Sequence, residues 1–292
     1  MTTLDDLPLV RTFRVGDLTV HAIEAGLQRL DGGAMFGVVP RPLWERRIAP
    51  DGRNRIPLAM RCLLIEAPNA LVLVDTGAGN KENEKFVSIY GIENAGSPTR
   101  LEDGIRAAGH APDAVDLVLS THLHFDHAGG NTVRRDDGEI VPAFANATYV
   151  VQRREFDFAQ SGNERIRASY LAPNIDPVPR DRWRFLEGEE EVTRGVRVEC
   201  TPGHTPHHQS VWIEDSGESA VFLADVCPTT AHLPLPWIMG YDLEPLVTLE
   251  SKRSLWERAR REGWRLIFEH DPVIPWGWLD PDEDRPTLVE RG

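Results

Sequence analysis

The segment Leu117-Val118-Leu119-Ser120-Thr121-His122-Leu123-His124-Phe125-Asp126-His127-Ala128-Gly129-Gly130 concentrates the residues of this chain best suited to metal chemistry. An apolar run ends abruptly in three histidines and an aspartate within six residues. Imidazole and carboxylate are the usual nitrogen and oxygen ligands of zinc and related divalent ions. If the apolar run is a strand, alternation puts His122 and His124 on the same side. Asp126 and His127 then fall in the following turn, where the backbone changes direction and they can face a second point nearby. Gly129-Gly130 fit a tight turn leading to a helix start. One histidine in such a place is usually solvated. Four metal-binding side chains directly after a buried strand point to a metal centre.

The elements that must position these residues can be read from pattern. Residues 114–121 suit a buried strand, and 10–25 suit two short strands around a Gly-Asp turn. Residues 26–60 carry many Gly, Pro and Arg residues without a clear period, which predicts a long loop. Residues 61–75 predict a buried hairpin turning at Ala67-Pro68-Asn69. A helix is expected over 98–109, a strand over 147–152 and a short helix near 153–160. The stretch 161–185 is polar and aperiodic, which predicts an irregular surface excursion. VRVECT, HHQSVWIED and residues 219–225 suit further strands, and 226–240 is Pro-rich and irregular. Residues 243–262 suit a helix, with Asp242 as its cap and Pro245 in the first turn. WRLIFEH at 264–270 suits a last strand, and the tail reads as irregular. With no repeat and no dividing linker, the alternation of strands and helices in both halves predicts one α/β sandwich domain over 1–292.

Bulk properties narrow the function classes. The chain has 292 residues, 41% of them hydrophobic, and a formal net charge of −14. The charge disfavours nucleic-acid and anionic-membrane partners, and no apolar run is long enough to span a bilayer. The first residues lack the pattern of a signal peptide, so a cytoplasmic location is expected. Cys62, Cys200 and Cys227 form no CxxC pair, which argues against a disulfide framework or a thiolate zinc site. Cys62 and Cys200 lie in strand-like surroundings and read as buried, inert thiols.

The motif H-x-H-x-D-H at 122–127 resembles the signature of the metallo-β-lactamase superfamily. Four further elements follow that family's order. Val74-Asp75-Thr76-Gly77 resembles its early V-D-T-G element, and Thr201-Pro202-Gly203-His204-Thr205-Pro206 its second histidine motif. Leu223-Ala224-Asp225 resembles its strand-end aspartate, and Phe268-Glu269-His270 its last histidine. The resemblance implies an αββα sandwich, the metallo-β-lactamase fold, with two divalent metal ions at one edge of its two sheets. Zinc is the expected metal, with cobalt, manganese or iron as alternatives. It assigns His122, His124 and His204 to the first ion and Asp126, His127 and His270 to the second, with Asp225 and a hydroxide bridging them. Asp126 would also be catalytic, protonating the leaving group. Asp75 and His208 match positions that orient ligands rather than bind metal. His207 stands where the family has Gly. His21, His110 and His232 lie in no motif and read as structural or exposed.

The resemblance also narrows the chemistry. An aspartate at 225 argues against the β-lactamases, which place Cys or Ser there. A histidine at 124 argues against the diiron flavoproteins, and the acidic balance argues against nucleases. The form Thr-His-Leu-His-Phe-Asp-His-Ala-Gly-Gly is similar to N-acyl-homoserine lactonases and methyl-parathion-hydrolase-like enzymes. It implies a hydroxide attacking a lactone or ester carbonyl of a small-molecule substrate, a long-chain acyl homoserine lactone in a quorum-quenching role. The alternatives are an organophosphate or aryl-ester hydrolase, a thioesterase, or a mononuclear iron oxidoreductase like the persulfide dioxygenases. One departure stands out: those lactonases have a Tyr shortly after the bridging aspartate, and here Val226, Cys227, Pro228 and Thr229 follow Asp225. Met35, Phe36, Trp44, Phe86, Trp237 and Met239 are candidate pocket walls, and the apolar segment 34–44 is a candidate homodimer contact.

Overall fold

Along the strands, successive side chains point to opposite faces, and this sorts the core into layers. Val20, Leu63, Ile65, Val72, Leu119 and Val150 pack with Val198, Val211, Ile213 and Phe222 between two sheets. Their neighbours Ile23, Leu64, Leu73, Val118, Tyr149 and Val151 belong to a second cluster on the outer face of the first sheet. Trp212, Val221 and Leu266 join Leu255, Trp256 and Ala259 in a third, on the outer face of the second sheet.

The computed structural model describes residues 2–94, 96–283 and 285–289. The first half of the chain contributes β1 (Val10–Val15), β2 (Leu18–Asp31), α1 (Gly32–Phe36), α2 (Arg41–Trp44), β3 (Arg55–Ala67), β4 (Ala70–Val74), α3 (Glu84–Tyr90), α4 (Arg100–Ala107), β5 (Leu117–Leu119) and α5 (Phe125–Ala128). A small hairpin of β6 (Thr132–Arg134) and β7 (Ile140–Pro142) follows, then β8 (Thr148–Gln152), α6 (Arg153–Ala159) and β9 (Trp183–Leu186). The remainder forms β10 (Glu190–Thr193), β11 (Val196–Cys200), β12 (Gln209–Asp215), β13 (Glu218–Phe222), α7 (Pro245–Glu262), β14 (Arg265–Ile267), β15 (Trp276–Leu279) and β16 (Leu288–Val289). One seven-stranded sheet runs β1-β2-β3-β4-β5-β8-β9 and the other β10 to β16 in order. Parallel pairing from β4 to β9 aligns the strand ends that carry the histidine motif. With α4 and α6 on one outer face and α7 on the other, the expected αββα sandwich is present.

The structure departs from the sequence reading at three places. Residues 26–60 are not one long loop: β2 runs to Asp31 and β3 begins at Arg55, paired from Leu27↔Ala59 to Asp31↔Arg55. Both faces of this ribbon are covered, so Leu27, Gln28, Ile56, Leu58 and Ala59 are all buried and the polar–apolar alternation disappears. The excursion 161–185 is irregular but not merely superficial. Ile166, Tyr170, Ile175 and Val178 anchor it in the core, and β9 starts within it at Trp183. The tail holds β15 and β16, short edge strands whose Pro-rich flanks hide their pattern. Cys200 is also exposed rather than buried.

Candidate metal centre

The ends of β4 and β5 are tied together by Asp75, whose amide donates to the Leu119 carbonyl at 3.0 Å. Its left-handed backbone (φ 53°) turns the carboxylate toward the next loop. There it accepts from the Thr121 amide at 2.8 Å, the Thr121 hydroxyl at 2.7 Å and His127 Nδ1 at 3.0 Å. Asp75 therefore fixes the orientation of His127. Gly129 and Gly130 do not supply a left-handed turn. They permit close approach: a Cβ on Gly129 would lie 2.3 Å from the Ala78 backbone, and one on Gly130 would lie 2.3 Å from the Thr76 carbonyl oxygen. The loops after β4 and β5 are thus pressed together backbone to backbone.

All seven expected ligands converge. His122, His124, His204 and Asp225 form one group, and Asp126, His127 and His270 another, each with its donor atoms within 4.8 Å of one another. In the first, His124 Nδ1 lies 3.0 Å from His122 Nε2 and 3.1 Å from His204 Nε2. Asp225 faces both groups, with Oδ2 3.0 Å from His204 Nε2 and Oδ1 3.0 Å from His270 Nε2. His270 Nε2 is 3.3 Å from His127 Nε2 and 3.8 Å from Asp126 Oδ2.

These residues fit cations and fit poorly without them. His270 Nδ1 contacts the Ala59 carbonyl at 2.6 Å, and His204 Nδ1 contacts Asp242 at 2.9 Å. A carbonyl or carboxylate only accepts, so those nitrogens carry the protons, as does His127 Nδ1 against Asp75. The Nε2 atoms of all three then face the centre, those of His127 and His270 3.3 Å apart and those of His204 and His270 each 3.0 Å from an Asp225 oxygen. Asp225 Oδ1 is buried and accepts no well-directed hydrogen bond among the described residues. The electrostatics agree. Burial, then the neighbouring imidazoles, holds His122 and His124 well below the usual histidine range, so both stay neutral. Burial also opposes charge on His204 and His270, but Asp225 and its hydrogen bonds dominate and push them up to about 10 and about 9. Asp225 is held well below its ordinary value because His204, His270 and His127 outweigh its burial. Asp225 is the main carboxylate favouring positive charge here, joined by Asp242 at His204 and Glu269 at His270.

Several supporting residues escaped the sequence reading. Asp242 does not cap α7, which starts three residues later; it holds His204 instead. Glu155 is buried and accepts from the Leu123 amide at 3.1 Å, the Tyr170 hydroxyl at 2.7 Å and the Thr205 hydroxyl at 2.8 Å, joining both histidine loops. Gln28 donates to Asp126 Oδ2. Arg61 pairs with Glu24 and holds the carbonyls of Phe268 and Asp271, which fixes the loop bearing His270. His208 places Nε2 3.2 Å from the Asp225 amide and Nδ1 2.9 Å from the Thr201 hydroxyl. Its neighbour His207 leaves the Gly203–His208 turn intact.

A cavity of about 400 Å³ opens over the centre, with His124, Asp126, His204, Asp225 and His270 in its floor. Of the six candidate wall residues, Met35 and Met239 line it. Phe36, Trp44 and Trp237 do not line it but pack in the same cluster as Met35 and Met239, where Phe36 stacks on both Trp44 and His232. Phe86 packs on Tyr90 and Phe125. Their aromatic surface is spent on supporting the wall. His232 bridges Thr229 and the Met35 carbonyl and is structural. No tyrosine stands within the few residues after Asp225, but two phenol-bearing residues, Tyr90 and the more distant Tyr241, line the cavity. A larger cavity of about 1040 Å³ contains none of the seven converging side chains.

Comparison with known proteins agrees with this geometry. The family model described as the metallo-beta-lactamase superfamily matches residues 57–276. An N-acyl homoserine lactonase from a Bacillus species is 33% identical over 226 residues, covering 74% of this chain and 82% of that protein. A probable metal-dependent hydrolase from Staphylococcus aureus superposes with a TM-score of 0.88 at 30% identity, covering 96% of this chain and 99% of the other. An N-acyl homoserine lactone hydrolase with N-hexanoyl-L-homoserine bound at its catalytic metal centre superposes with a TM-score of 0.65 at 28% identity, covering 89% and 94% of the two chains.

Proposed function

This chain belongs to the metallo-β-lactamase superfamily, and from that premise we propose that it is a dizinc lactonase opening the ring of N-acyl homoserine lactones. The observation that carries the reading is the pair of ligand groups meeting at Asp225 beneath an open cavity. The similarity to lactonases supports the substrate class. Divalent ions held by His122, His124, His204 and Asp225 and by Asp126, His127 and His270 would supply an activated water at neutral pH and Lewis acidity toward a carbonyl.

The chain's own residues do the rest. Asp225, with an oxygen toward each group, keeps the two halves of the site in register. Asp126, steadied by Gln28, stands at the cavity floor, where it can take the proton released by the attacking water and pass it to the leaving alkoxide. Burial first, and then nearby acidic groups, keep the Tyr241 phenol protonated well above neutrality, so it can donate to the substrate. Tyr90, whose pKa is raised in the same way, is a second donor. These phenols stand in for the tyrosine missing after Asp225. Leu30, Met35, Ile166 and Met239 offer an apolar wall to the acyl chain.

The test is a panel of acyl homoserine lactones, aryl esters, thioesters and phosphotriesters assayed with zinc-loaded protein. The lactones are expected to turn over fastest; turnover confined to thioesters or phosphotriesters overturns the lactonase reading and leaves the hydrolase intact. We also propose pairing of two copies through the arm carrying α1 and α2. Val38 on that arm is 93% exposed and Leu43 is 49% exposed, and covering such aliphatic surface is what a contact between copies would gain. A dimer that becomes monomeric on Leu43→Glu is expected by sedimentation; a wild-type monomer contradicts it.

A further inference from the structure

At the opposite end of β4 from Asp75, the outer face of the first sheet stops being apolar. Glu66 pairs with Leu71 near the start of that strand, about 13 Å along the chain from Asp75 at the usual strand rise. Alternation brings His21 of β2 onto the same face, diagonal to Glu66, and Thr12 of β1 lies directly opposite His21. The loop after α4 then lowers His110 onto them. His21 Nε2 is 3.3 Å from Glu66 Oε1, and His110 Nε2 is 2.7 Å from the same oxygen. The donor atoms of all three residues lie within 4.8 Å of one another.

We propose that His21, Glu66 and His110 form a third divalent-cation site, suited to zinc and separate from the catalytic pair. Two imidazoles and a carboxylate are a standard zinc donor set, and three protein ligands leave a position for water. The environment is graded in the way such a site needs. The His21 side chain is 9% exposed, that of His110 27% and that of Glu66 40%, so one side is anchored in the fold and the other open to solvent. The Thr12 hydroxyl lies 2.9 Å from His21 Nδ1. By accepting the Nδ1 proton it presents the Nε2 lone pair to the cation, the outer partner that metal-bound histidines usually have. The three ligands come from β2, β3 and the loop after α4, so a bound ion would clip that loop to the sheet.

The experiment is equilibrium dialysis of the purified dimetal protein against zinc chloride, comparing wild type with His110→Ala and Glu66→Gln. Wild type is expected to bind a third equivalent, weaker than the first two. Both variants are expected to stop at two, with unchanged turnover. Thr12→Val is expected to retain the third equivalent with about tenfold weaker affinity. A wild type that saturates at two, or variants that still bind three, overturns the proposal. Turnover and the first two equivalents report on the catalytic centre independently.

Discussion

Asp242 holds His204 through Nδ1 and so decides which nitrogen faces Asp225. Asp242→Ala is expected to weaken metal binding or activity by about 10–100-fold, measured by chelator competition, while the fold is kept. Asp225→Ala removes the shared ligand and is expected to abolish turnover and lower metal content at both positions, with an unchanged far-ultraviolet spectrum. The motif residues were legible because five of them sit beside one another or beside a characteristic Gly or Pro. Asp242, Glu155 and Gln28 were not, since each is a single polar residue whose partner is distant in sequence. Asp242 in particular looked like an ordinary helix cap. Lys81 makes a pH-dependent contribution of its own. Its ammonium is buried against the carbonyls of Gly129 and Thr132, and burial lowers its pKa from 10.5 to about 8. Between those values the unfolded chain holds the proton that the folded chain has lost, so stability rises with pH. The cost of the buried charge is fully present below about 8 and gone above 10.5. It is on the order of 3 kcal/mol. Denaturant titrations are expected to show this slope in wild type and not in Lys81→Met; equal slopes contradict it.

Among the elements, the contact of the β4 and β5 end loops has least tolerance. Gly129→Ala forces a Cβ into the Ala78 backbone, and overpacking of this kind costs about 1–3 kcal/mol. A lower denaturation midpoint together with weaker metal binding is expected, because the displaced loop carries Asp126 and His127. A midpoint matching wild type would show that the loops can part freely. Sequence identified most strands of both sheets because they are short unbroken apolar runs buried on both faces, as in Val72-Leu73-Val74 and Val211-Trp212-Ile213. It missed the extension of β2 and the start of β3 for a physical reason. That ribbon is covered on both faces, and Gln28, a polar residue at a buried position, is there to serve Asp126. The short β15 and β16 offered too few residues for a period to emerge.

At the scale of the whole molecule, the catalytic centre joins parts that are remote in the chain, from Asp75 to His270. Among the described residues no helix is long and apolar enough to cross a membrane. The loops after the strands of both sheets meet at one edge and bring the two ligand groups together, with Met35 of the arm ahead of β3 in the cavity wall above them. Ligands that bind only the folded chain stabilise it, by about 4 kcal/mol at a thousandfold excess over Kd. Removing the metals with chelator is therefore expected to lower the melting temperature as well as stop hydrolysis. The most direct test is a zinc titration of metal-free protein while following the opening of N-hexanoyl homoserine lactone. Turnover is expected to rise until two equivalents are bound and then stay level. A plateau at one equivalent, or full turnover without metal, would contradict a centre built from two ligand groups sharing Asp225.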